Sequence, residues 1–374
     1  MSATPTPQPQ FPKFISVEDI DCSATSEPNS TRFRLISYNI LAQAYVKSSI
    51  FPHSPAPCLK WKARSQTVLT VLKNLGADFL CLQEVDEYES FYKGNMESNG
   101  YSSIYIQRTG KKRDGCGIFF KRDRAELVLQ EQIDYNDLLN SIPEETIPSD
   151  DKQNDVQAHK KKDAKLKSGS TSNGTPEDRG DINDPQVRLK RDCVGIMAAF
   201  KIKDSHNHIV IVANTHIYWD PELADVKLAQ AKYLLSRVTQ FRQLVSDRFK
   251  CAPSVFVAGD FNSTPGDKVY EYLNSCNSSD SQRTKQEDFE DAPIPLCSVY
   301  GFTRGEPKFT NCTPSFTDTL DYIFFSPSKF IKPVSLLELL GSDSPDVAGG
   351  LPNWSHPSDH LPIGAEFHIE NRSA

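Results

Sequence analysis

The sequence predicts an α/β fold whose functional side chains lie together at one rim of a β-sheet. Short apolar runs typical of strands alternate with amphipathic stretches typical of helices, and the chain has no internal repeat. Six of the apolar runs are bounded by an Asn, Asp, Glu or His, and open α/β folds usually bind ligands at strand ends. No G-x-G-x-x-G or Walker sequence is present, so a dinucleotide-binding fold and a P-loop are not expected.

Composition bounds the class of protein. The chain has 374 residues, enough for one large or two modest domains, and its 38% hydrophobic content is enough for a core. No stretch approaches the roughly 18 apolar residues that span a bilayer, so no membrane partner is expected. The net charge of -7 argues against broad, non-specific nucleic-acid binding, which depends on many phosphate contacts. A nuclease that holds only a few nucleotides is still compatible with this charge.

The N-terminal segment and the cysteines indicate the compartment. Residues 1–30 are rich in Pro, Ser and Thr and lack an apolar or Arg-rich targeting pattern, which predicts a disordered tail. The nine cysteines include no C-x-x-C pair, which argues against a zinc cage and a disulfide framework and fits a reducing compartment. We therefore expect a cytoplasmic protein, with the nucleus as a second location.

The first part of the chain alternates strands with a helix. The predicted elements, in order, are a strand at 33–39, a helix at 61–75 and strands at 79–85, 115–121 and 127–133. The helix is predicted because its apolar residues recur at three-and-four spacing, and Gly76 is its expected C-cap. Asn39 ends the first strand, and Glu84 lies near the end of the second.

Residues 135–187 differ from the rest of the chain. They are rich in Asp, Lys, Ser, Asn and Gly and contain almost no aromatic residues, which predicts a disordered insertion. The predicted organisation is therefore a tail at 1–30 and one domain at 31–370, interrupted by this insertion. The basic run at 159–165 is best interpreted as a solvated linker, with a nuclear-import or RNA-contact patch as the alternative.

Regular structure is predicted to resume after the insertion. The elements, in order, are a hairpin of strands at 193–202 and 208–215, a helix around 228–241, and strands at 255–258, 320–325 and 363–367. The hairpin is predicted from two β-branched runs around a polar turn. The helix is predicted from one apolar stripe at helical spacing.

The polar residues at the strand ends suit a metal and a phosphate. A carboxylate such as Glu84 would cost several kcal/mol if buried without a partner, and a hard cation offsets that cost. Oxygen ligands from Glu84, Asn39 and Asp359 suit Mg²⁺ or Mn²⁺. Asp260 and Asn262 stand at alternate positions and would point to the same side of an extended segment. One of them orients a nucleophilic water or holds a second metal, and the other binds a phosphate oxygen.

Two histidines and one further aspartate complete the predicted site. His216 and His360 can donate to phosphate oxygens and stabilise the charge of the transition state. Asp321 is predicted to hold His360 in one tautomer and to favour its charged form. Each residue alone has an ordinary explanation as a turn or surface residue. Their joint occurrence at strand ends favours a single catalytic site.

Taken together, the motifs resemble those of the endonuclease/exonuclease/phosphatase superfamily. The matching positions are Asn39, 83–85, 214–216, 259–263, 320–322 and 358–362. Within the superfamily the chain is most similar to the deadenylase branch, the nuclease domains of carbon catabolite repressor four and nocturnin. This closer similarity rests on residues 37–42, 113–116 and 214–221, and on Phe316 five residues before Asp321.

The resemblance implies a fold, a cofactor and a mode of substrate binding. It implies a DNase I-like four-layer fold, a two-sheet β-sandwich flanked by helices, with the site at one end between the sheets. It also implies Mg²⁺-dependent attack by water on a phosphate ester. The positions matching Pro221 and Phe316 would hold the terminal base, in addition to the contacts with the substrate phosphate expected of Asn262 and His216 from their chemistry. Gly117 departs from the branch, which commonly has Ala there. The leucine-rich repeats that dock a second deadenylase subunit are not expected, because only thirty residues precede the first strand.

The first functional hypothesis is a 3′-to-5′ exoribonuclease that removes poly(A) tails from mRNA and releases 5′-AMP. Its partner would be the poly(A) 3′ end of an RNA. The alternative is a phosphatase or phosphodiesterase acting on a small nucleotide, such as the 2′-phosphate of a dinucleotide cofactor or a 2′-linked or cyclic phosphate. The acidic composition favours this alternative. A non-catalytic binding module is disfavoured, because every expected metal and acid–base position is filled.

Overall fold

The computed structural model describes residues 12–17, 31–141, 181–203, 208–274 and 294–370. The strands in these ranges are β1 (Phe14–Ser16), β2 (Thr31–Asn39), β3 (Phe79–Gln83), β4 (Tyr101–Gln107), β5 (Gly115–Lys121), β6 (Ala125–Asp134), β7 (Val194–Ile202), β8 (Ile209–His216), β9 (Ser254–Asp260), β10 (Cys297–Ser298), β11 (Asn311–Cys312), β12 (Thr317–Asp318), β13 (Asp321–Phe325), β14 (Ile331–Leu337) and β15 (Ile363–Ile369).

Helices join these strands. The α-helices are α1 (Trp61–Asn74), α2 (Lys93–Glu97), α3 (Pro185–Leu189), α4 (Ala224–Phe249), α5 (Lys268–Leu273) and α6 (Val299–Thr303). Single 3₁₀ segments lie at Gln43–Tyr45, Tyr135–Ser141 and Pro221–Leu223, and a π-helical turn lies at Tyr88–Tyr92. No helix among the described residues is both long and apolar enough to cross a membrane.

The chain divides into two units. The first comprises residues 1–135 and 192–374, and the second comprises residues 136–191. In the second unit α3 forms inside the stretch predicted to be disordered, because Asp184 caps it by accepting a hydrogen bond from the Gln186 amide at 2.9 Å. Residues 142–180 of the predicted insertion lie outside the described residues.

Two mixed sheets form the first unit. The described strands of one sheet follow the order β1-β14-β15-β2-β3-β5-β4, and those of the other follow β10-β13-β9-β8-β7-β6. Within each sheet one pair is parallel, β2 with β3 and β8 with β9. The hairpin predicted after the insertion is confirmed as the antiparallel pair β7 and β8.

Three apolar layers hold the sheets and helices together. Residues from both sheets, such as Phe33, Phe79 and Phe200, pack between the sheets. On the outer face of the first sheet lies α1, and on the outer face of the second lies α4. The result is the helix–sheet–sheet–helix order that the family resemblance implied.

The helices follow the apolar periodicity, with one difference in length. The structure confirms the helix after the first long strand, and Gly76 adopts the left-handed φ of +58° expected of a C-cap residue. The later helix, α4, extends over 26 residues rather than the shorter span predicted. Buried side chains continue to Val245, so the apolar stripe supports the additional turns.

Two sequence expectations need correction. Residues Phe14–Ser16 lie within the stretch predicted to be a disordered tail, but they form β1, which pairs with β14; residues 1–11 and 18–30 lie outside the described residues. Cys297 is disulfide-bonded, whereas Cys58, Cys81 and Cys116 are free thiols, so the cysteines do not all follow the reducing pattern.

Strand register brings the polar strand ends to one rim. Asn39 pairs with Gln83 at the ends of the parallel strands β2 and β3. In the second sheet, Asp260 pairs with His216 on one side and with Asp321 on the other. Because these strands end or begin at the same level, the predicted site residues share this rim.

Gly259 lets β8 and β9 approach closely beside Asp260. A Cβ at Gly259 would lie 2.1 Å from the Thr215 carbonyl oxygen. We expect Gly259→Ala to lower the free energy of unfolding by about 2 kcal/mol or more, because the strands must separate locally. Urea denaturation measures this change. Gly94→Ala is the control, since nothing lies within 4 Å of a Cβ there, and it should not destabilise the protein. Equal effects of the two substitutions would contradict the close approach.

Candidate active site

Asn39 bridges the two sheets at the rim. Its Nδ2 donates to Glu84 Oε1 at 3.1 Å and to Asp260 Oδ2 at 3.0 Å, so one amide separates two carboxylates. Its Oδ1 accepts the Leu41 amide at 3.0 Å. We predicted Asn39 to be an oxygen ligand of a metal, but in this structure its amino group faces the carboxylates. The arrangement is that of a bridge that brings Glu84 and Asp260 together.

Asp321 and His360 form the predicted pair. His360 Nδ1 lies 2.7 Å from Asp321 Oδ2, and His360 Nε2 lies 3.6 Å from Asp260 Oδ2. Burial opposes the charged imidazolium, but the carboxylates of Asp321 and Asp260 outweigh burial and raise the pKa of His360 well above its usual value. His360 is therefore a cation beside Asp260.

His216 approaches Asp260 from the neighbouring strand. Its Nε2 lies 3.6 Å from Asp260 Oδ2, and burial lowers the pKa of His216 below the usual value despite this carboxylate. Its Nδ1 is buried and makes no hydrogen bond within the described residues. Asp260 thus lies between a charged histidine, His360, and a neutral one, His216.

Asn262 lies on a turn rather than on an extended segment. Its φ of +45° is left-handed, a conformation that Asn tolerates, and its amide N–H donates to Asp260 Oδ1 at 2.9 Å. The Nδ2 of Asn262 donates to the Ile217 carbonyl at 3.1 Å. The predicted alternation of Asp260 and Asn262 along a strand is therefore wrong, because β9 ends at Asp260. The turn instead brings Asn262 back against Asp260.

Burial and neighbouring charge destabilise the ionised form of Glu84. Its Oε2 accepts the Ala42 amide at 2.8 Å, which favours the carboxylate. Burial and the charges of Asp359 and Asp114 outweigh this hydrogen bond and raise the pKa of Glu84 to about 7. Burial and the charge of Asp321 likewise raise the pKa of Asp260. The rim therefore carries more negative charge than its own donors balance.

The donors at the rim fit a hard divalent cation. Asp260, Asp321 and His360 each place a polar atom within 4.8 Å of the others, and because His360 is charged, the two carboxylates are the candidate ligands of this group. Asp321 Oδ1 is buried and accepts no hydrogen bond from the described residues. Carboxylate oxygens are the preferred ligands of Mg²⁺ and Mn²⁺. Glu84 and Asp359 add two more carboxylates to this surplus, so the residues present suit such an ion.

Several residues that support the site were not predicted from the sequence. Thr310 donates to Asp321 Oδ2 at 2.6 Å and so orients the partner of His360. Lys227 donates to the Asn262 carbonyl at 2.7 Å from α4. Arg64, on α1, is buried and donates to carbonyls on both sides of the rim, those of Ile40 and Pro357 among them. No motif marks these residues, because their roles come from contacts between separate elements.

The predicted base-binding residues lie on exposed turns beside the rim. Phe316 is 44% exposed and lies in a turn closed by the Thr313 amide donating to the Phe316 carbonyl at 2.8 Å. This turn joins β11 to β12, and Asn311 of β11 pairs with His360. Pro221 is exposed at the start of the 3₁₀ segment that follows His216. Each residue thus stands on a segment anchored next to a site histidine.

A family model described as the endonuclease/exonuclease/phosphatase family matches residues 36–360. The chain belongs to this family. It is 56% identical over 404 residues to carbon catabolite repressor protein 4 homolog 4 of Arabidopsis thaliana, covering 99% of this chain and 93% of that protein. It is also 29% identical to the CCR4-Not complex 3'-5'-exoribonuclease subunit Ccr4 of Candida albicans, covering 95% of this chain but only 43% of that subunit.

Solved structures of the family share the fold. ANGEL2, a 2',3'-cyclic phosphatase crystallised with adenosine-2',3'-vanadate, superposes with a TM-score of 0.67 at 26% identity and covers 91% of this chain and 97% of that chain. The human nocturnin catalytic domain superposes with a TM-score of 0.61 at 22% identity, covering 98% of this chain and 100% of that chain. The resemblance inferred from the motifs is thereby confirmed.

The raised pKa of Glu84 predicts a pH-dependent stability. The folded-state pKa of about 7 exceeds the usual carboxyl value of about 4.5, so ionisation opposes folding. Without divalent ions, we expect Glu84→Gln to unfold like the wild type at pH 4.5 but to be about 1–3 kcal/mol more stable at pH 8. Thermal denaturation with EDTA at both pH values measures this difference. A constant difference across the range would contradict it.

Proposed function

We propose that the protein is a Mg²⁺-dependent 3′-to-5′ exoribonuclease that shortens poly(A) tails and releases 5′-AMP. The observation that carries this proposal is the arrangement around Asp260, which has Asn39 on one side and two histidines on the other. Such a set activates water and stabilises a negatively charged phosphate. The names of the relatives support the nuclease assignment, since the subunit matched from Candida albicans is called a 3'-5'-exoribonuclease. The chain spans 93% of the first curated relative but about half of such subunits.

In this proposal Glu84, Asp359 and the carboxylates at Asp260 and Asp321 hold the metal. When bound, Mg²⁺ offsets phosphate charge and the charge that develops in the transition state. The surplus of negative charge that raises the pKa of Glu84 supports this assignment, because a cation would remove its cause. Asn39 acts as the bridge that keeps Glu84 and Asp260 at a fixed separation.

The reaction is hydrolysis of the last phosphodiester bond. Asp260 orients the attacking water and accepts its proton, the water oxygen bonds to phosphorus, and the bond from phosphorus to the preceding O3′ breaks. The departing O3′ takes a proton from solvent, so the shortened RNA ends in a 3′-hydroxyl, and Asp260 returns its proton to solvent as the terminal nucleotide leaves as 5′-AMP. The charged His360, held by Asp321, stabilises the phosphate oxygens together with His216. Asn262 positions Asp260 through its backbone amide.

Pro221 and Phe316 hold the terminal base in this proposal. Both are exposed, and each lies on an anchored turn next to a site histidine, which suits a base that must be held beside the cleaved bond. A base stacked on an aromatic ring contributes about 1–3 kcal/mol.

One observation favours a second candidate, a phosphatase acting on a cyclic or 2′-linked phosphate of a nucleotide. ANGEL2, named a 2',3'-cyclic phosphatase, shares 26% identity and a TM-score of 0.67 with this chain over 91% of its length. The same metal, water and histidines would serve this reaction. The two candidates differ in the product released.

Removal of Glu84 tests the metal assignment. We expect Glu84→Ala to lower turnover of A-tailed RNA with Mg²⁺ by at least about 100-fold, because a metal ligand worth several kcal/mol is lost. Single-turnover assays over a Mg²⁺ titration measure the effect. Glu89→Ala is the control, since Glu89 is an exposed carboxylate paired with Lys93. Turnover near that of the wild type in Glu84→Ala would exclude Glu84 as a ligand.

Removal of the Phe316 ring tests the substrate class. We expect Phe316→Ala to slow release of 5′-AMP from A-tailed RNA by about 5- to 150-fold, the effect of 1–3 kcal/mol, while Phe316→Tyr retains the stack. Hydrolysis of a phosphate ester without a base should not change. Chromatography of the products separates the candidates, because a phosphatase releases inorganic phosphate or opens a cyclic phosphate. Wild-type protein that opens a cyclic phosphate but leaves A-tailed RNA intact would reject the exonuclease.

A further inference from the structure

The loop between β4 and β5 concentrates positive charge on an otherwise acidic chain. Arg108, Lys111, Lys112 and Arg113 fall within six residues, whereas the net charge of the whole chain is -7. Arg108 points inward, because its side chain is 10% exposed and contacts Asp114 at 3.5 Å. Lys111 and Arg113 are exposed, and Lys112 is partly exposed. We call these three residues, 111–113, the basic tip.

Hydrogen bonds fix the shape of the loop that carries the basic tip. The Arg108 amide donates to the Asp114 carbonyl at 2.9 Å, and Gln107 Nε2 donates to the Lys112 carbonyl at 2.9 Å. Gly110 has a left-handed φ of +66°, and a Cβ there would lie 2.8 Å from a carboxylate oxygen of Asp192. The loop therefore packs closely against Asp192, just before the start of β7. The charged side chains of the basic tip are therefore carried by a loop whose backbone has a fixed shape.

The basic tip lies next to the candidate metal ligands. The Val85 amide, adjacent to Glu84, donates to the Gly115 carbonyl at 3.0 Å, two residues after Arg113. Asp114, between them, accepts a hydrogen bond from the Tyr45 hydroxyl at 2.6 Å. Lys112 Nζ lies 5.8 Å from the centre of the Tyr45 ring, close enough for a cation–π contact. The loop is thus attached to the rim directly beside Glu84.

Strand order places the basic tip and Phe316 at opposite ends of the site. Phe316 belongs to the turn after β11, and Asn311 of β11 pairs with His360, just before β15. In the first sheet the order β15-β2-β3-β5 then passes Asn39 and Glu84 before it reaches the β4–β5 loop. A strand of RNA whose last base lies against Phe316 and whose last phosphodiester lies at Asp260 would continue toward this loop.

We propose that the basic tip binds the phosphate backbone of the RNA a few nucleotides before the cleaved bond. This inference rests on the proposed exonuclease function and deepens it. Lysine ammonium groups suit phosphates as mobile point charges, and contact through phosphates carries no sequence preference. The acidic rim would repel an RNA strand, and three cations beside Glu84 offset that repulsion. An acidic protein segment is disfavoured as the occupant, because the basic tip adjoins the site where the RNA end must lie.

Removal of these three charges gives a quantitative test. The variant is Lys111→Gln/Lys112→Gln/Arg113→Gln, and the substrates are a 20-nucleotide oligo(A) and the dinucleotide ApA. We expect the slope of log KM against log salt for the long RNA to fall by about 2, at about 0.7 for each of three contacts. Between 50 and 200 mM salt, KM of the wild type then rises about 20-fold more than that of the variant. The kcat for the long RNA and both constants for ApA should not change.

A matched control carries the same change of charge at the opposite rim. Arg242→Gln/Arg248→Gln/Lys250→Gln removes three exposed cations near the C-terminal end of α4. This end of α4 leads into the first residue of β9, whereas the candidate site lies at the last residue of β9, Asp260. This control should retain the wild-type salt slope. Equal changes in the two triple variants would overturn the inference, because net charge alone would then account for the effect.

Binding in EDTA decides the inference separately from the proposed function. Fluorescence anisotropy of labelled 20-nucleotide oligo(A), which stays intact without metal, should show weaker binding and a smaller salt slope for the basic-tip variant. Unchanged oligo(A) binding would overturn the inference even if the wild type releases 5′-AMP. Weaker binding of poly-glutamate alone, with oligo(A) binding unchanged, would assign the surface to an acidic protein segment instead. Wild type that binds oligo(A) through the basic tip but releases no 5′-AMP would reject the proposed function alone.

Discussion

The site depends on one buried amide that joins the two sheets. Asn214 Nδ2 donates to the Leu82 and Gly117 carbonyls, each at 2.9 Å, and its Oδ1 accepts from Gln83 Nε2 at 2.7 Å. Apolar faces pack with little preference for one alignment, whereas this amide is satisfied only when β8 lies opposite β3 and β5 at one level. Asn39 on the first sheet therefore meets Asp260 on the second, and the amide of Asn39 joins the carboxylates of Glu84 and Asp260.

The alignment of the two sheets brings several carboxylates together, and their mutual repulsion is only partly offset by hydrogen bonds and by His360. The buried carboxylate of Asp260 accepts hydrogen bonds from the Asn39 side chain and the Asn262 backbone amide and lies 3.6 Å from the charged His360. Glu84 gains two hydrogen bonds but also faces Asp359 and Asp114, so the pKa of Glu84 stays raised. A divalent cation bound here would relieve this repulsion, so it would raise stability in addition to stabilising phosphate charge in the proposed reaction.

Sequence predicted the architecture of the rim better than its details. Strand-end positions such as Asn39, Glu84 and Asp260 were located correctly, because apolar runs end where the chain leaves the core. The turn at Asn262 and the orientation of the Asn39 amide were not predictable, because both depend on partners from other strands. Thr310 and Arg64 were missed for the same reason: ordinary residues acquire their roles only from contacts distant in sequence.

Chemistry and substrate choice belong to different parts of this structure. The acidic and histidine side chains stand on strand ends fixed by the sheets, so the same rim would serve either of the two proposed reactions. In the two proposals, the segments that meet the rest of a substrate are loops with their own hydrogen bonds, the turn with Phe316 and the basic tip. A small nucleotide would contact only the turn with Phe316, whereas an RNA strand would reach both. If the proposals hold, the basic tip would therefore separate long from short substrates, whereas the carboxylates and histidines of the rim would treat them alike.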